Sequence, residues 1–238
     1  MEADSDRRAG DTSRKVFAIG DIHGCYDKLM TLLDRIPLCK ERDTLVFLGD
    51  YINRGPDSKK VLEALLQVGR ECANAVFLRG NHDQALLEYA ETGDVELLRL
   101  LRVMGVEATA ASYGSSIYQL RELTAFPGEH LEFLCSLASG FVADDYLFIH
   151  ADVDRQTLEA ALPPGEGDGI LTGMAAEMLS SRRLASDHAR AGRFTVVFGH
   201  IPFATPLVMP DRIGIDTGAA YGGYLTAVEL PDLRFYHA

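Results

Sequence analysis

The chain has 238 residues, 47% of them hydrophobic, with four cysteines and a formal net charge of −12. That is enough for one large domain with a full core, and the acidic balance, with no basic cluster to offset it, argues against non-specific binding along a nucleic-acid backbone. Cys25, Cys39, Cys72 and Cys135 are widely spaced without a C-x-x-C pair, which reads as reduced, mostly packed thiols rather than a disulfide framework or a zinc site. No apolar stretch is long enough to span a membrane and no signal-peptide pattern opens the chain, so a cytoplasmic location is expected.

Residues 1–13 are polar, charged and aperiodic, and are expected to be a disordered tail ahead of one domain over 14–238. Val16–Ile19 is a short apolar run of strand formers, closed by Gly20 and followed by Asp21 and His23. Leu29, Leu32, Leu33 and Ile36 then recur at helical spacing until Pro37. Leu45–Leu48 predicts a second strand, leading into G-D-Y-I-N-R-G-P-D-S from Gly49. Ser58 to Val68 predicts a helix with Asp57 or Ser58 as N-cap and Gly69 at its end. Ala75–Leu78 predicts a third strand, followed by R-G-N-H-D from Arg79, and Asp83 caps a third helix that Gln84 to Ala90 begins. This β-α-β-α-β alternation implies a largely parallel sheet.

From Asp94 to Ser139 the pattern is helical throughout, with Leu97, Leu98, Leu100 and Leu101 on one amphipathic segment and further helices over Ile117–Leu123 and His130–Leu137. This is a helical insertion, about 94–139, that either shapes substrate access or covers sheet edges. Tyr146–Ile149 is a strand that runs straight into His150. A helix over Gln156–Leu162, a mobile loop over Pro163–Gly169 and a helix from Ile170 to about Arg183 are expected next. Thr195–Phe198 delivers Gly199 and His200. Four tail strands follow, over Pro206–Met209, Arg212–Ile215, Tyr224–Leu230 and Leu233–Tyr236, and suggest a second, mixed sheet packed on the first.

Five apolar strands thus each end on Asp, Asn or His, at the sheet edge where open α/β folds hold ligands. Asp21, His23, Asp50, Asn81, His150 and His200 make a set of hard oxygens and imidazoles suited to two divalent cations, and the absence of thiolate favours manganese, iron or zinc over softer metals. Asp50 would bridge the pair, and a hydroxide held between the cations would be a nucleophile at neutral pH. Arg54 offers a permanent planar cation for phosphate, and His82, next to Asn81, is placed to protonate a leaving oxygen.

In combination, G-D-I-H-G, G-D-Y-I-N-R-G-P-D-S, G-N-H-D, the lone His150, G-H at Gly199 and I-D-T-G-A-A-Y-G-G from Ile215 resemble the calcineurin-like metallophosphoesterase superfamily. The bacterial form of its phosphoprotein phosphatase branch is the nearest likeness, covering about Val16 to Ala227. The resemblance implies an α/β fold, a β-sandwich of two mixed sheets flanked by helices, with a two-metal site at the strand ends. It places Asp21 and His23 on the first metal, Asp50 as the bridge, and Asn81, His150 and His200 on the second. Arg54 then grips phosphate and His82 is the general acid.

Two departures bear on the substrate. Protein phosphatases of this branch usually carry Asp where this chain has Asn53, and a neutral amide orients the histidine ring without raising its pKa by charge. Acid catalysis should suffer most with a poor leaving group such as a seryl alkoxide and least with a phosphoanhydride. Asn53 therefore fits either a diadenosine tetraphosphatase, whose loop often lacks the Asp, or an alteration that slows turnover. The second departure is a missing Trp-Ile-Arg element near Leu171 to Met174, with Arg182 and Arg183 the nearest cations downstream. The short middle segment tips the reading toward phosphoserine and phosphothreonine monoesters in proteins, with dinucleoside polyphosphates as the alternative substrate. A catalytically impaired phospho-ligand-binding protein is the rival of another class, opposed by the six intact ligand positions. Tyr221 is either a groove-lining contact or plain packing, Arg79 a buttress behind the loop, and Asp216-Thr217-Gly218 a loop brace. His130, His188 and His237 lack a companion pattern and read as surface or packing residues.

Overall fold

The computed structural model of the protein describes residues 13–153, 169–173, 176–186 and 192–238. Strands β1 (Val16–Ile19), β2 (Thr44–Phe47) and β3 (Asn74–Phe77) pair in parallel, with α1 (Tyr26–Arg35) and α2 (Ser58–Glu71) as the crossovers. Every residue of β1 and β2 is buried, which is why both read as unbroken apolar or near-apolar runs instead of alternating ones. After α3 (Asn81–Thr92) come four more helices, α4 (Val95–Val103), α5 (Val106–Ser112), α6 (Ile117–Arg121) and α7 (Gly128–Ser136). The chain then returns to strand with β4 (Gly140–Ala143), β5 (Tyr146–Ile149), β6 (Gly169–Leu171), β7 (Thr195–Phe198), β8 (Leu207–Met209), β9 (Arg212–Gly214), β10 (Thr226–Leu230) and β11 (Arg234–His237).

These strands form two mixed sheets, ordered β11-β10-β1-β2-β3 and β6-β4-β5-β7-β9-β8. Side-chain alternation along each strand builds three layers of core. Ala18, Val46, Val76 and Val228 of the first sheet meet Phe141, Phe148, Val197 and Ile213 of the second in the middle of the sandwich. Phe17, Ile19, Leu45 and Phe47 point the other way, onto Leu29, Leu32, Leu62 and Leu65 of α1 and α2. Leu147, Ile149, Val196 and Phe198 cover the far side of the second sheet together with Leu184. The outcome is a helix-flanked β-sandwich in which β1, β2, β3, β5 and β7 all end at one rim.

Several elements differ from the sequence-based expectation, each for a physical reason. The tail strands do not stay together: β8 and β9 extend the second sheet, while β10 and β11 complete the first, with Val16 opposite Leu230 in an antiparallel pair. Period-2 alternation defines a strand's faces but not which edge it joins. Gly69 does not end α2, which runs on to Glu71. The Phe77 ring lies 3.4 Å from where a Cβ on Gly69 would sit, so that packing tolerates glycine inside the helix. Gly169–Leu171 is a strand paired with β4 where a helix from Ile170 was expected, and Ala176–Ser180 and Arg183–Ala185 are 3-10 turns. Both β4 and α5 lacked a sequence signal. The tail expected over 1–13 lies, Ser13 apart, outside the described residues, as do the Gln156–Leu162 helix and all of the Pro163–Gly169 loop except Gly169.

Candidate active site

The loops leaving β1, β2, β3, β5 and β7 bring the six expected ligand positions together. Five site residues outside glycine adopt left-handed backbone: His23 (φ 46), Asp50 (φ 55), Asn53 (φ 71), Arg54 (φ 66) and His200 (φ 63). Non-glycine residues rarely take this conformation, and a cluster of them marks turns held by their surroundings for a purpose. Two glycines make room. A Cβ on Gly80 would lie 2.0 Å from Asp50 Oδ1, and one on Gly199 would lie 2.2 Å from Asp21 Oδ1. The glycine before Asn81 and the glycine before His200 are thus the seats of the two carboxylates.

Hydrogen bonds fix which nitrogen of each imidazole faces the centre. His23 Nδ1 donates to Ile52 O at 3.0 Å and His150 Nδ1 to Leu48 O at 2.8 Å, leaving both Nε2 atoms unprotonated and turned toward the centre. Those Nε2 atoms lie 3.4 Å and 3.6 Å from Asp50 Oδ2, a buried oxygen with no hydrogen bond among the described residues. Asn81 Oδ1 lies 3.1 Å from His150 Nε2 and 3.0 Å from His200 Nδ1. Carboxylate, amide and imidazole acceptors crowd together here with few donors, Arg54 on His23 among them, and Asp50 Oδ2 has none among the described residues, so the set fits divalent metal ions. His23 with Asp50, and Asp50 with His150 and His200, each fall within the reach of one ion. Asp21 stands beside the first group, its Oδ2 3.9 Å from His23 Nε2, and accepts the His200 backbone N–H at 3.1 Å.

The electrostatics agree. Burial pushes Asp50 up to about 7, and burial with the neighbouring Asp216 and Asp50 charges raises Asp21. Burial pushes His150 down to about 4 and His200 down to about 3, and lowers His23 as well, with the Arg54 charge adding to it. The imidazoles are therefore neutral and able to ligate, while the crowded carboxylates lack positive charge. Arg54 supplies some of it. Its Nη1 donates to His23 Nε2, and its guanidinium stacks 4.9 Å from the centroid of the Tyr221 ring, which is 63% exposed.

His82 is buried beside this cluster, and Asn53 Nδ2 meets its Nδ1 at 3.1 Å. Burial, reinforced by His23 and Arg54, lowers its pKa. Arg79 takes the buttressing position, donating to Gln84 Oε1 and Cys135 O. His130 packs in the interior against Tyr113, His237 meets Thr226, and His188 lies outside the described residues. Arg183 is paired with buried Asp152 at 2.6 Å, whereas the Arg182 charge reaches His200 and Asp216.

Asp83 is not the N-cap of α3, a place Gly80 holds; it is the third residue of the helix and its carboxylate accepts the backbone N–H groups of Gly80, Asp50 and Tyr51 at 3.1, 2.9 and 3.2 Å. It welds the β2 loop to the start of α3. The three-residue step from Gly80 to Asp83 is a capping-box spacing, so the sequence did hold a signal for the intrahelical part of this role. Nothing in the sequence signalled Thr109 of α5, which contacts Asn53, or Lys28 of α1, whose Nζ donates to Ala219 O and Gly223 O and so holds the turn bearing Tyr221.

Residues 14–221 match the calcineurin-like phosphoesterase family, and the chain belongs to it. It is a metal-dependent phosphatase, its family being one of divalent-metal phosphoesterases. Among its relatives is a bis(5'-nucleosyl)-tetraphosphatase PrpE [asymmetrical] of Halalkalibacterium halodurans, 27% identical over 228 residues that span 91% of this chain and 90% of that protein. A crystal structure of a protein provisionally named a diadenosine tetraphosphatase superposes with a TM-score of 0.63 at 24% identity, covering 96% of this chain and 94% of the other. A protein serine/threonine phosphatase of Saccharomyces cerevisiae, similar to human phosphatase PP5, superposes with a TM-score of 0.57 at 16% identity, covering 91% and 72%. The two structures share the fold. Among the described residues no helix is long and apolar enough to cross a membrane.

Proposed function

We propose that the protein hydrolyses phosphoanhydrides of the dinucleoside polyphosphate type, in preference to phosphoserine or phosphothreonine esters. The observation that carries this reading is the 3.1 Å contact of the Asn53 amide with His82. A neutral partner leaves His82 unable to gain a proton cheaply, so the enzyme suits a leaving group that departs as an anion. A phosphate oxygen, with a second pKa of about 6, does so near neutral pH; a seryl alkoxide does not. The names of the relatives that match along nearly the whole chain support the same substrate class.

In this reading Asp21, His23 and Asp50 would hold one divalent cation and Asp50, Asn81, His150 and His200 the other. Manganese is the first choice, with iron or zinc as the others. Bound there, the pair would supply Lewis acidity toward phosphoryl oxygens and an activated water. Arg54 grips a phosphate through its planar fork, and Arg182 provides a second positive charge on the His200 side in place of the missing family arginine. Tyr221 keeps the Arg54 fork oriented. His82 offers an N–H to the leaving oxygen. Residues 14–238 act as one domain in a cytoplasmic setting, where cysteines are kept as thiols.

The test is turnover of diadenosine tetraphosphate and of a phosphothreonine peptide with manganese, for the wild type and Asn53→Asp. The dinucleotide should be the faster substrate, and Asn53→Asp should raise only the peptide rate, by about 100-fold if general-acid catalysis is restored. Fast wild-type peptide turnover with a slow dinucleotide would return the protein to the phosphoprotein class.

A further inference from the structure

Helix α5 enters the site through one side chain. Thr109 is fully buried, and its Oγ1 accepts the Asn53 backbone N–H at 2.9 Å, donates to Asn53 Oδ1 at 2.8 Å and lies 3.1 Å from Ser58 Oγ. A hydroxyl has one proton to give. With that proton on Asn53 Oδ1, Ser58 donates to Thr109 and the whole cluster is satisfied. The Asn53 amide is thereby oriented, oxygen toward α5 and nitrogen toward His82. An amide nitrogen only donates, so His82 Nδ1 must accept, and the proton of the neutral ring sits on Nε2.

That proton decides between two uses of the ring. His82 Nε2 lies 3.9 Å from Asp50 Oδ2, and with His23 and Asp50 it forms a group whose ligand atoms all fall within 4.8 Å of one another. A bare Nε2 there is a further cation ligand. A protonated Nε2 has no lone pair in the ring plane and cannot ligate. Geometry alone leaves both roles open to His82; the direction of one amide closes the first.

We propose that Thr109 is a positioning residue that, by orienting the Asn53 amide, keeps the proton on His82 Nε2, bars His82 from coordinating a divalent cation and reserves that N–H for a substrate oxygen. Only the last of these three consequences rests on the function proposed above. The helical insertion thus sets the identity of an active-site hydrogen-bond donor from outside the strand-end loops.

The experiment is a long-range proton–nitrogen correlation spectrum of the zinc-loaded, 15N-histidine-labelled protein, which distinguishes the two imidazole tautomers. His82→Gln identifies the resonances. Wild type and Thr109→Ser should show His82 with Nδ1 bare and Nε2 protonated. Thr109→Val, which keeps the shape and removes the hydroxyl, should show the Nε2-bare form, displaced further on zinc loading as the nitrogen ligates. Turnover of the preferred substrate should fall by about tenfold or more in Thr109→Val and recover in Thr109→Ser. A wild-type His82 protonated on Nδ1, or an unchanged tautomer in folded Thr109→Val, overturns the proposal. If Thr109→Val fails to fold, Asn53→Ala replaces it, and a tautomer unaltered there overturns the proposal equally. Failure of the nucleotide reading would appear in turnover while leaving these spectra as expected, so the two are separable.

Discussion

Asp83 illustrates how much of the site rests on a residue that touches no substrate. Fully buried, it accepts three backbone N–H groups from two separate loops. Burial and the neighbouring Asp50 charge push it up to about 8, and the same three donors pull against them. Asp83→Asn turns an amide nitrogen toward one of those donors. The variant should lose about 1–3 kcal/mol of stability, read by urea unfolding, and bind metal about 10–100-fold more weakly, read by competition with a chelator. Wild-type metal affinity in a folded Asp83→Asn protein would show that the carboxylate does not position Asp50. At this scale the six candidate ligand positions, which the fold brings together, were legible because each follows an apolar run at a strand end. The buttresses were not, because Thr109 sits 56 residues from Asn53 in a segment with no motif.

Elements show the same division. β1, β2, β5 and β7 announce themselves by composition, since strands buried on both faces tolerate little but apolar residues, and β3, half-buried at its sheet's edge, still shows the apolar run Ala75-Val76-Phe77. α5 is only seven residues long, and its sequence, V-E-A-T-A-A-S, has a weak helical stripe. α1 does two things at once: Leu29 and Leu32 face the sheet, while Lys28 reaches the turn Ala219–Tyr221 with bonds of 2.8 and 2.5 Å to Ala219 O and Gly223 O. Lys28→Ala should cost about 1.5–3 kcal/mol, the range of hydrogen bonds from a charged donor. Because that turn presents Tyr221 to Arg54, KM should rise more than kcat falls. Equal losses in both would place Lys28 in the chemistry instead of in the support of the phosphate grip proposed for Arg54.

For the whole molecule, metal binding and protonation are one equilibrium. His150 at about 4 and His200 at about 3 are neutral throughout the physiological range, so they add no pH dependence there. Asp50 at about 7 carries a proton in much of the metal-free protein at pH 6. Cations bind ionised carboxylates, so binding below pH 7 must expel that proton, together with any held by Asp21, which burial also raises, and affinity should climb with pH through about 7. Calorimetric titration with manganese across that range should show about a tenfold gain per unit for each proton released. A flat profile from pH 5.5 to 7 would mean that Asp50 is already ionised without metal. The sandwich has one more consequence, and it concerns time. β1 pairs on one side with β2, its near neighbour in the chain, and on the other with β10, where Val16 lies opposite Leu230. During synthesis the strand that carries Asp21 and His23 keeps a bare hydrogen-bonding edge until Thr226–Leu230 has left the ribosome. Closure of so long a loop is slow. The nascent chain should therefore stay dependent on chaperones, and unable to retain metal at the Asp21 side, until its last strands arrive.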